Sequence, residues 1–300
     1  MAKEPPMRRL FEILSAATVV LLAAASVQPA VAADTLRIVA AENFYGDLAA
    51  QIGGSHVAVT SIMANPDDDP HLFESSPSTA RSLATADIVL YNGADYDPWM
   101  DKLLSAAAAP GRTTLVAADL VGRKSGDNPH LWYDPATFPA VAAALAAELA
   151  KRDPADAAEF SANLETFNQD FATATAGIAA IKAAHAGVKV TATEPVFGYM
   201  AAAMGLDMLN QRFQLAVMNE TEPSASDVAA FEDSLKSGTA KILFYNSQVT
   251  DETTTRLLAL ANAAKVPVIG VTETEPGGQT IQSWFAGQIA AVAAALGGTS

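Results

Sequence analysis

The chain has 300 residues, 33 acidic against 18 basic side chains, four histidines and no cysteine, for a net charge of −15. That acidity opposes general binding to nucleic acid or anionic lipid surfaces, and the missing cysteine excludes disulfide scaffolds, iron–sulfur clusters, thiol catalysis and Cys-rich zinc modules. Half of the residues are hydrophobic, enough for one large domain or two medium ones, so any metal chemistry falls to histidine and carboxylate.

Residues 1–32 read as a signal peptide. Lys3, Arg8 and Arg9 form a basic head, an apolar run follows over 10–27, and Ala30-Val31-Ala32 supplies the small-residue cleavage site, with the Ala33/Asp34 bond as the alternative. No cysteine stands at the boundary to carry a lipid. The expected mature protein is free in the periplasm, with no stable membrane insertion.

From residue 34 onward short β-branched runs alternate with helical ones. Strands are expected at 36–40, 57–62, 87–91 and 113–117, with helices at 44–52, 78–84 and 98–108 between them. A loop over 119–135 leads to a helix at 137–151. After Asp153-Pro154, a second helical segment covers 155 to about 184, with Phe160, Leu164, Phe167, Phe171, Ile178 and Ile181 on one face. At about 1.5 Å per residue it would run roughly 45 Å, long for one domain and suited to a rod passing two. The alternation then resumes: strands at 189–193, 241–245 and 266–271, and helices at 197–204, from a Ser224 N-cap to 235, at 252–264 and at 279–296. The fold class is α/β, two Rossmann-like lobes with mostly parallel sheets bridged by a long rigid helix. The expected boundaries are an N-terminal lobe at 33–153, a linking helix at 154–187 and a C-terminal lobe at 188–300.

In open α/β sheets ligands bind beyond the carboxyl ends of strands. There the chain places Asn65-Pro66-Asp67-Asp68-Asp69-Pro70-His71, Asn128-Pro129-His130, Glu194-Pro195 and Glu273-Thr274-Glu275-Pro276. Two imidazoles and two carboxylates could hold a divalent cation such as zinc, iron or manganese. The plainer alternatives are loop histidines bonded to their own backbone and solvated glutamates. His56, at a strand start, and His185, at a helix end where a charged imidazole suits the dipole, are not assigned to a metal. Trp99 and Trp132 are expected to wall the cleft, and Asn65, Asp69, Asn128 and Asp134 are candidate partners for the second nitrogen of a ligating histidine.

Several motifs in order resemble the metal-specific solute-binding proteins of ABC importers for zinc and manganese, the cluster A-I group related to streptococcal adhesins. They are Glu42-Asn43-Phe44-Tyr45-Gly46-Asp47, Asp69-Pro70-His71-Leu72-Phe73-Glu74, Tyr91-Asn92-Gly93, Asn128-Pro129-His130-Leu131-Trp132, Phe197-Gly198-Tyr199 and Glu222-Pro223-Ser224. The resemblance implies two lobes bridged by one long helix, with the ion held between them by His71, His130, Glu194 and a carboxylate near the last strand. That fourth position falls best on Glu275, with Glu273 as the fallback. Glutamate at the third position, and the absence of a His-rich or acid-rich insert before His130, lean away from the high-affinity zinc subgroup. Manganese and zinc stand level, with iron third.

The implied function is a periplasmic receptor, a monomer and not an enzyme, that captures one divalent ion and delivers it to a membrane permease. A metal-dependent hydrolase is the alternative, but four protein ligands would close the coordination position that catalysis needs. A secreted adhesin-like protein on the same scaffold is the third reading.

Overall fold

The computed structural model describes residues 35–65 and 73–297. The expected signal peptide and His71 lie outside the described residues. The first half contains β1 (Leu36–Glu42), α1 (Asn43–Gly53), β2 (Val57–Met63), α2 (Pro77–Thr85), β3 (Ile88–Tyr91), α3 (Pro98–Ala106), β4 (Thr113–Val116), α4 (Ala117–Leu120) and α5 (Thr137–Arg152). Then come α6 (Ala157–Thr175) and α7 (Gly177–His185). The second half contains β5 (Lys189–Ala192), α8 (Gly198–Ala203), β6 (Asp207–Met208), α9 (Gln211–Met218), α10 (Ala225–Lys236), β7 (Leu243–Asn246), α11 (Glu252–Ala263), β8 (Val268–Val271) and α12 (Ile281–Ala295).

Two four-stranded sheets result, ordered β2-β1-β3-β4 and β6-β5-β7-β8, with every strand pair parallel. Both orders reverse direction beside the strand that comes first in that half of the chain. Each sheet therefore has a switch point, between β1 and β3 and between β5 and β7, where the following loops part and leave a crevice. β1 is apolar and buried from Ile38 to Ala41, as a strand covered on both faces must be.

The helices begin where the sequence offers side-chain caps. Ser76 and Thr79 form a capping box at α2, as do Asp251 and Thr254 at α11 and Thr280 and Ser283 at α12. The expected Ser224 cap holds: its hydroxyl accepts from Asp227 N at 3.2 Å.

The long helix is present in two pieces. α6 ends at Thr175 and α7 starts at Gly177, with Ala176 between them still in right-handed helical backbone. The interruption coincides with a close approach, since a Cβ added at Gly177 would lie 2.6 Å from Ile289 Cγ2 on α12. Phe160, Phe167, Phe171 and Ile181 are buried as their spacing predicted, with Leu164 and Ile178 packed partly buried beside them.

β6 and α9 were not anticipated. β6 is two residues long, and α9 follows Asn210 in left-handed backbone without a side-chain cap, so neither gives the periodic signal by which strands and helices are read.

One apolar core serves both sheets. Ile38, Phe44, Trp132 and Phe138 share a cluster with Val190, Phe197, Phe244 and Phe285. The seam is aromatic: Tyr133 lies 5.0 Å from Phe197 and 5.9 Å from Phe285, and Phe285 lies 5.6 Å from Phe138 and 5.2 Å from Phe171, between ring centroids. The lobes are thus joined by packed side chains as well as by the helical spine.

Candidate functional site

His130 sits in the loop between α4 and α5, fully buried. The loop is fixed from beneath by Asn92, just past β3, whose Nδ2 donates to Pro129 O at 2.7 Å. Tyr45 donates to Asn92 Oδ1 at 2.9 Å, and the Asp97 carboxylate accepts from Asn92 N at 2.7 Å and Gly93 N at 2.8 Å. Gly93 has φ +75°, and a Cβ there would meet Val116 Cγ1 at 2.6 Å, so this turn requires glycine. Trp132 walls the histidine, 5.2 Å from its ring, with Tyr96 4.7 Å further on. Trp99 instead packs against Phe73 at 4.2 Å.

The histidine tautomer follows from its neighbour. Asn128 Nδ2 donates to Pro195 O at 2.8 Å, which fixes Oδ1 as the acceptor facing His130 Nδ1 at 2.7 Å. Assigned from this network, the proton belongs on Nδ1, and the Nε2 lone pair remains for a ligand. Nε2 is buried and makes no hydrogen bond among the described residues. A buried imidazole nitrogen in that state suits a metal ion.

Glu194 and Glu273 come to this place from the second sheet. Glu194 follows β5 in extended backbone before Pro195, and Glu273 follows β8. Both are buried, and Glu273 Oε2 lies 3.6 Å from His130 Nε2. Asn246, the last residue of β7, stands between them. Its Nδ2 donates to Glu194 Oε2 and, at 2.6 Å, to Glu273 Oε1. Gln248 holds the last loop, its side chain accepting from Glu273 N and donating to Thr274 Oγ1.

Glu275 is placed elsewhere. Its backbone forms a reciprocal pair with the Asn43 side chain, at 2.7 Å and 2.9 Å. Burial, with the neighbouring Asp47 charge, pushes its carboxyl up to about 8. The structure therefore groups His130, Glu194 and Glu273 and sets Glu275 beside α1. Residues 273 and 275 are two apart in one loop, and hydrogen bonds with Gln248, Asn246 and Asn43 take them to different places.

The region is rich in buried acid. Glu42 ends β1 fully buried, its carboxyl oxygens without hydrogen-bond partners among the described residues, and burial together with the Asp97 charge drives it well above the ordinary carboxyl range. Burial followed by the Glu273 and Glu42 charges raises the Tyr96 phenol well above its usual value. This excess of carboxylate over cationic side chains is an environment a divalent cation would neutralise.

His56, at the start of β2, is surrounded by carboxylates. Its Nδ1 lies 3.3 Å from Asp156 and 3.8 Å from Asp153, and its Nε2 lies 3.2 Å from Glu159. The His56, Asp156 and Glu159 ligand atoms all fall within 4.8 Å of one another. With carboxylates on both ring nitrogens, the cluster reads as an ion-pair tie between the start of β2 and the start of α6. His185 lies in the last turn of α7, as expected.

Asn246 and Gln248 were missed in sequence, and Glu42 and Asn92 stood only within family motifs, without a role at the site. A polar residue ending a strand beside a switch point was the available signal, and the expected strand at 241–245 stopped one residue short of Asn246. Of the candidate partners for a ligating histidine, Asn128 contacts His130, and Asp69 lies outside the described residues. Asp134 instead pairs with Arg123 at 3.3 Å.

Among the described residues no helix is long and apolar enough to cross a membrane. The chain is 30% identical over 142 residues to the manganese-binding lipoprotein MntA of Bacillus subtilis, a match covering 45% of this chain and 46% of that protein. It is 22% identical over 243 residues to the high-affinity zinc uptake system protein ZnuA of Paracoccus denitrificans, covering 68% and 73%. The match thus spans about half the length of the first relative and nearly three quarters of the second. Among solved structures, the periplasmic zinc binding protein TroA from Treponema pallidum superposes with a TM-score of 0.72 at 20% identity, over 88% of this chain and 99% of that one, a likeness of fold. The family model described as ZnuA, zinc-uptake complex component A, periplasmic, matches residues 38–295, and the chain belongs to that family.

Proposed function

We propose that the chain is the solute-binding receptor of an ABC-type importer, taking up one divalent transition-metal ion, manganese or zinc, and handing it to a membrane permease without making or breaking a covalent bond. The supporting observation is the buried pairing of His130 Nε2 with Glu273 Oε2 at 3.6 Å, on an imidazole whose other nitrogen is held by Asn128. His130, Glu194 and Glu273 would act as ligands, and His71, outside the described residues, as the fourth. Glu273 replaces Glu275 in this set because it is the glutamate facing the histidine. Two imidazoles and two carboxylates form a donor set that both manganese and zinc accept.

After removal of residues 1–32 the protein would act as a free periplasmic monomer, without a lipid anchor. Its lobes correspond to residues 33–153 and 188–300, joined by the helical stretch 154–187. The test is metal titration of the cleaved, chelator-treated protein with manganese and zinc. One ion per chain is expected, with binding lost in His130→Ala and in Glu273→Gln. Saturable binding unchanged in both variants would overturn the ligand set.

A further inference from the structure

Asn246 occupies the middle of the second sheet's carboxyl edge, and the register explains what it does there. β7 lies between β5 and β8. Ala192 pairs with Phe244, so Glu194 and Asn246, each two residues further, reach the same level. Asn246 pairs with Val271, and Glu273 is two residues beyond that. Side chains two apart on a strand share a face, so the residues that end the sheet converge there.

The amide cannot be turned around. Asn246 Oδ1 accepts from Gln248 N at 3.1 Å, a group that can only donate, and Asn246 N donates to Thr193 Oγ1 at 3.1 Å. The NH2 group therefore faces the carboxylates. It has two hydrogens and serves one oxygen of each, Glu194 Oε2 and Glu273 Oε1. Of the two Glu273 oxygens, the one near His130 Nε2 is Oε2, the one Asn246 does not hold.

A neutral double donor is a specific choice at this position. A lysine would neutralise the carboxylates and compete with an incoming cation, and an acid would add a third negative charge. Asparagine restrains both glutamates while leaving their charge for the ion. A carboxylate with one oxygen committed to a hydrogen bond offers a metal its other oxygen and resists swinging to bidentate attachment.

We propose that Asn246 is a specificity-determining residue that holds Glu194 and Glu273 to one-oxygen ligation and so favours a four-coordinate ion over one seeking five or six ligands. This rests on the reading of Glu194 and Glu273 as ligands. Zinc accepts four ligands in a tetrahedron, whereas manganese prefers more, oxygen-rich ligands. Freed carboxylates would supply the additional oxygens, so losing Asn246 should cost zinc more than manganese.

The experiment compares the wild-type protein with Asn246→Ala and Asn246→Ser in parallel zinc and manganese titrations, with the visible spectrum of the cobalt(II)-loaded protein as a second readout. Outer-shell partners of metal ligands are worth about 10–100-fold in affinity. Zinc affinity is expected to fall by that order in both variants and manganese affinity by less, moving the ratio toward manganese. The intense cobalt absorption of a four-coordinate site should weaken. Equal loss for both ions with an unchanged spectrum would mean a purely structural role and overturns the inference. If neither variant folds, the wild-type cobalt spectrum decides alone, since weak absorption there overturns it. Glu194→Gln separates the two levels of argument. Unchanged metal binding in that variant overturns the ligand reading and the inference together, whereas lost binding with an unmoved zinc-to-manganese ratio in the Asn246 variants overturns the inference alone.

Discussion

Asn128 accepts from His130 Nδ1 at 2.7 Å while its own amide donates across to Pro195 O, next to Glu194 in the second lobe, at 2.8 Å. One side chain thus sets the histidine tautomer and ties it to the loop carrying a second candidate ligand. Asn128→Ala should release both functions and reduce metal affinity by about 10–100-fold. Asn128→Asp keeps an acceptor on Nδ1 but loses the donor to Pro195, so it should lie between the alanine variant and the parent. Competition with a chromophoric chelator orders the three proteins, and an alanine variant binding as tightly as the parent would sink the argument.

Glu273 and Glu275 give the sharpest contrast within one loop. Glu273 is buried against His130 and Asn246, whereas Glu275 is anchored through its backbone to Asn43. Glu273→Gln removes a charge from the site and should weaken binding by more than the roughly 10–100-fold expected for an outer-shell partner. Glu275→Gln should leave affinity within a few-fold of the parent, by the same scale. Calorimetric titration of both variants checks this, and the reverse order would restore Glu275 to the ligand set.

The difficulty of choosing between those two glutamates marks the limit of the sequence. The alternation of strands and helices was legible because β1 and β3 bury continuous apolar runs and the α6 face a periodic one. His130 and Glu194 stood out because each lies in a loop past a strand, beside a proline. The choice between Glu273 and Glu275 depends on Gln248 and Asn43, 25 and 232 residues distant in sequence, and no local pattern carries such pairings. Asn246 was hidden for the same reason, since its partners become neighbours only when β7 enters the sheet between β5 and β8.

The buried acids at the first switch point predict a pH dependence. Burial and the Asp97 charge hold Glu42 protonated well above the ordinary range, and burial raises Asp97 to about 6 despite the amide hydrogen bonds that favour its charged form. In the unfolded chain both groups ionise near pH 4. The folded state therefore keeps protons that the unfolded state releases, and the associated stability is complete below about pH 4 and lost as pH rises through 6 and beyond. The metal-free protein, kept in chelator, should melt at a lower temperature at pH 8 than at pH 5. Glu42→Gln cannot ionise in either state, so its melting temperature should fall less over that interval. Parallel melting curves for parent and variant would count against this account.

The joint between α6 and α7 can be tested through its contact with α12, which packs on both helices. Gly177→Ala should gain up to about 1 kcal/mol from helix propensity, but the new Cβ would stand 2.6 Å from Ile289 Cγ2. Overpacking of that kind costs about 1–3 kcal/mol. The steric term is the larger, and the variant should be destabilised by about 1 kcal/mol in denaturant unfolding. Ile289→Leu removes the branching methyl at nearly constant volume, at a cost below about 1.5 kcal/mol. Because the clash needs both groups, the double variant should be more stable than the sum of the single effects, a coupling that residues in contact show and distant ones do not. Strict additivity would mean that the spine relaxes around the new methyl group, and that Ile289 does not account for the glycine at 177.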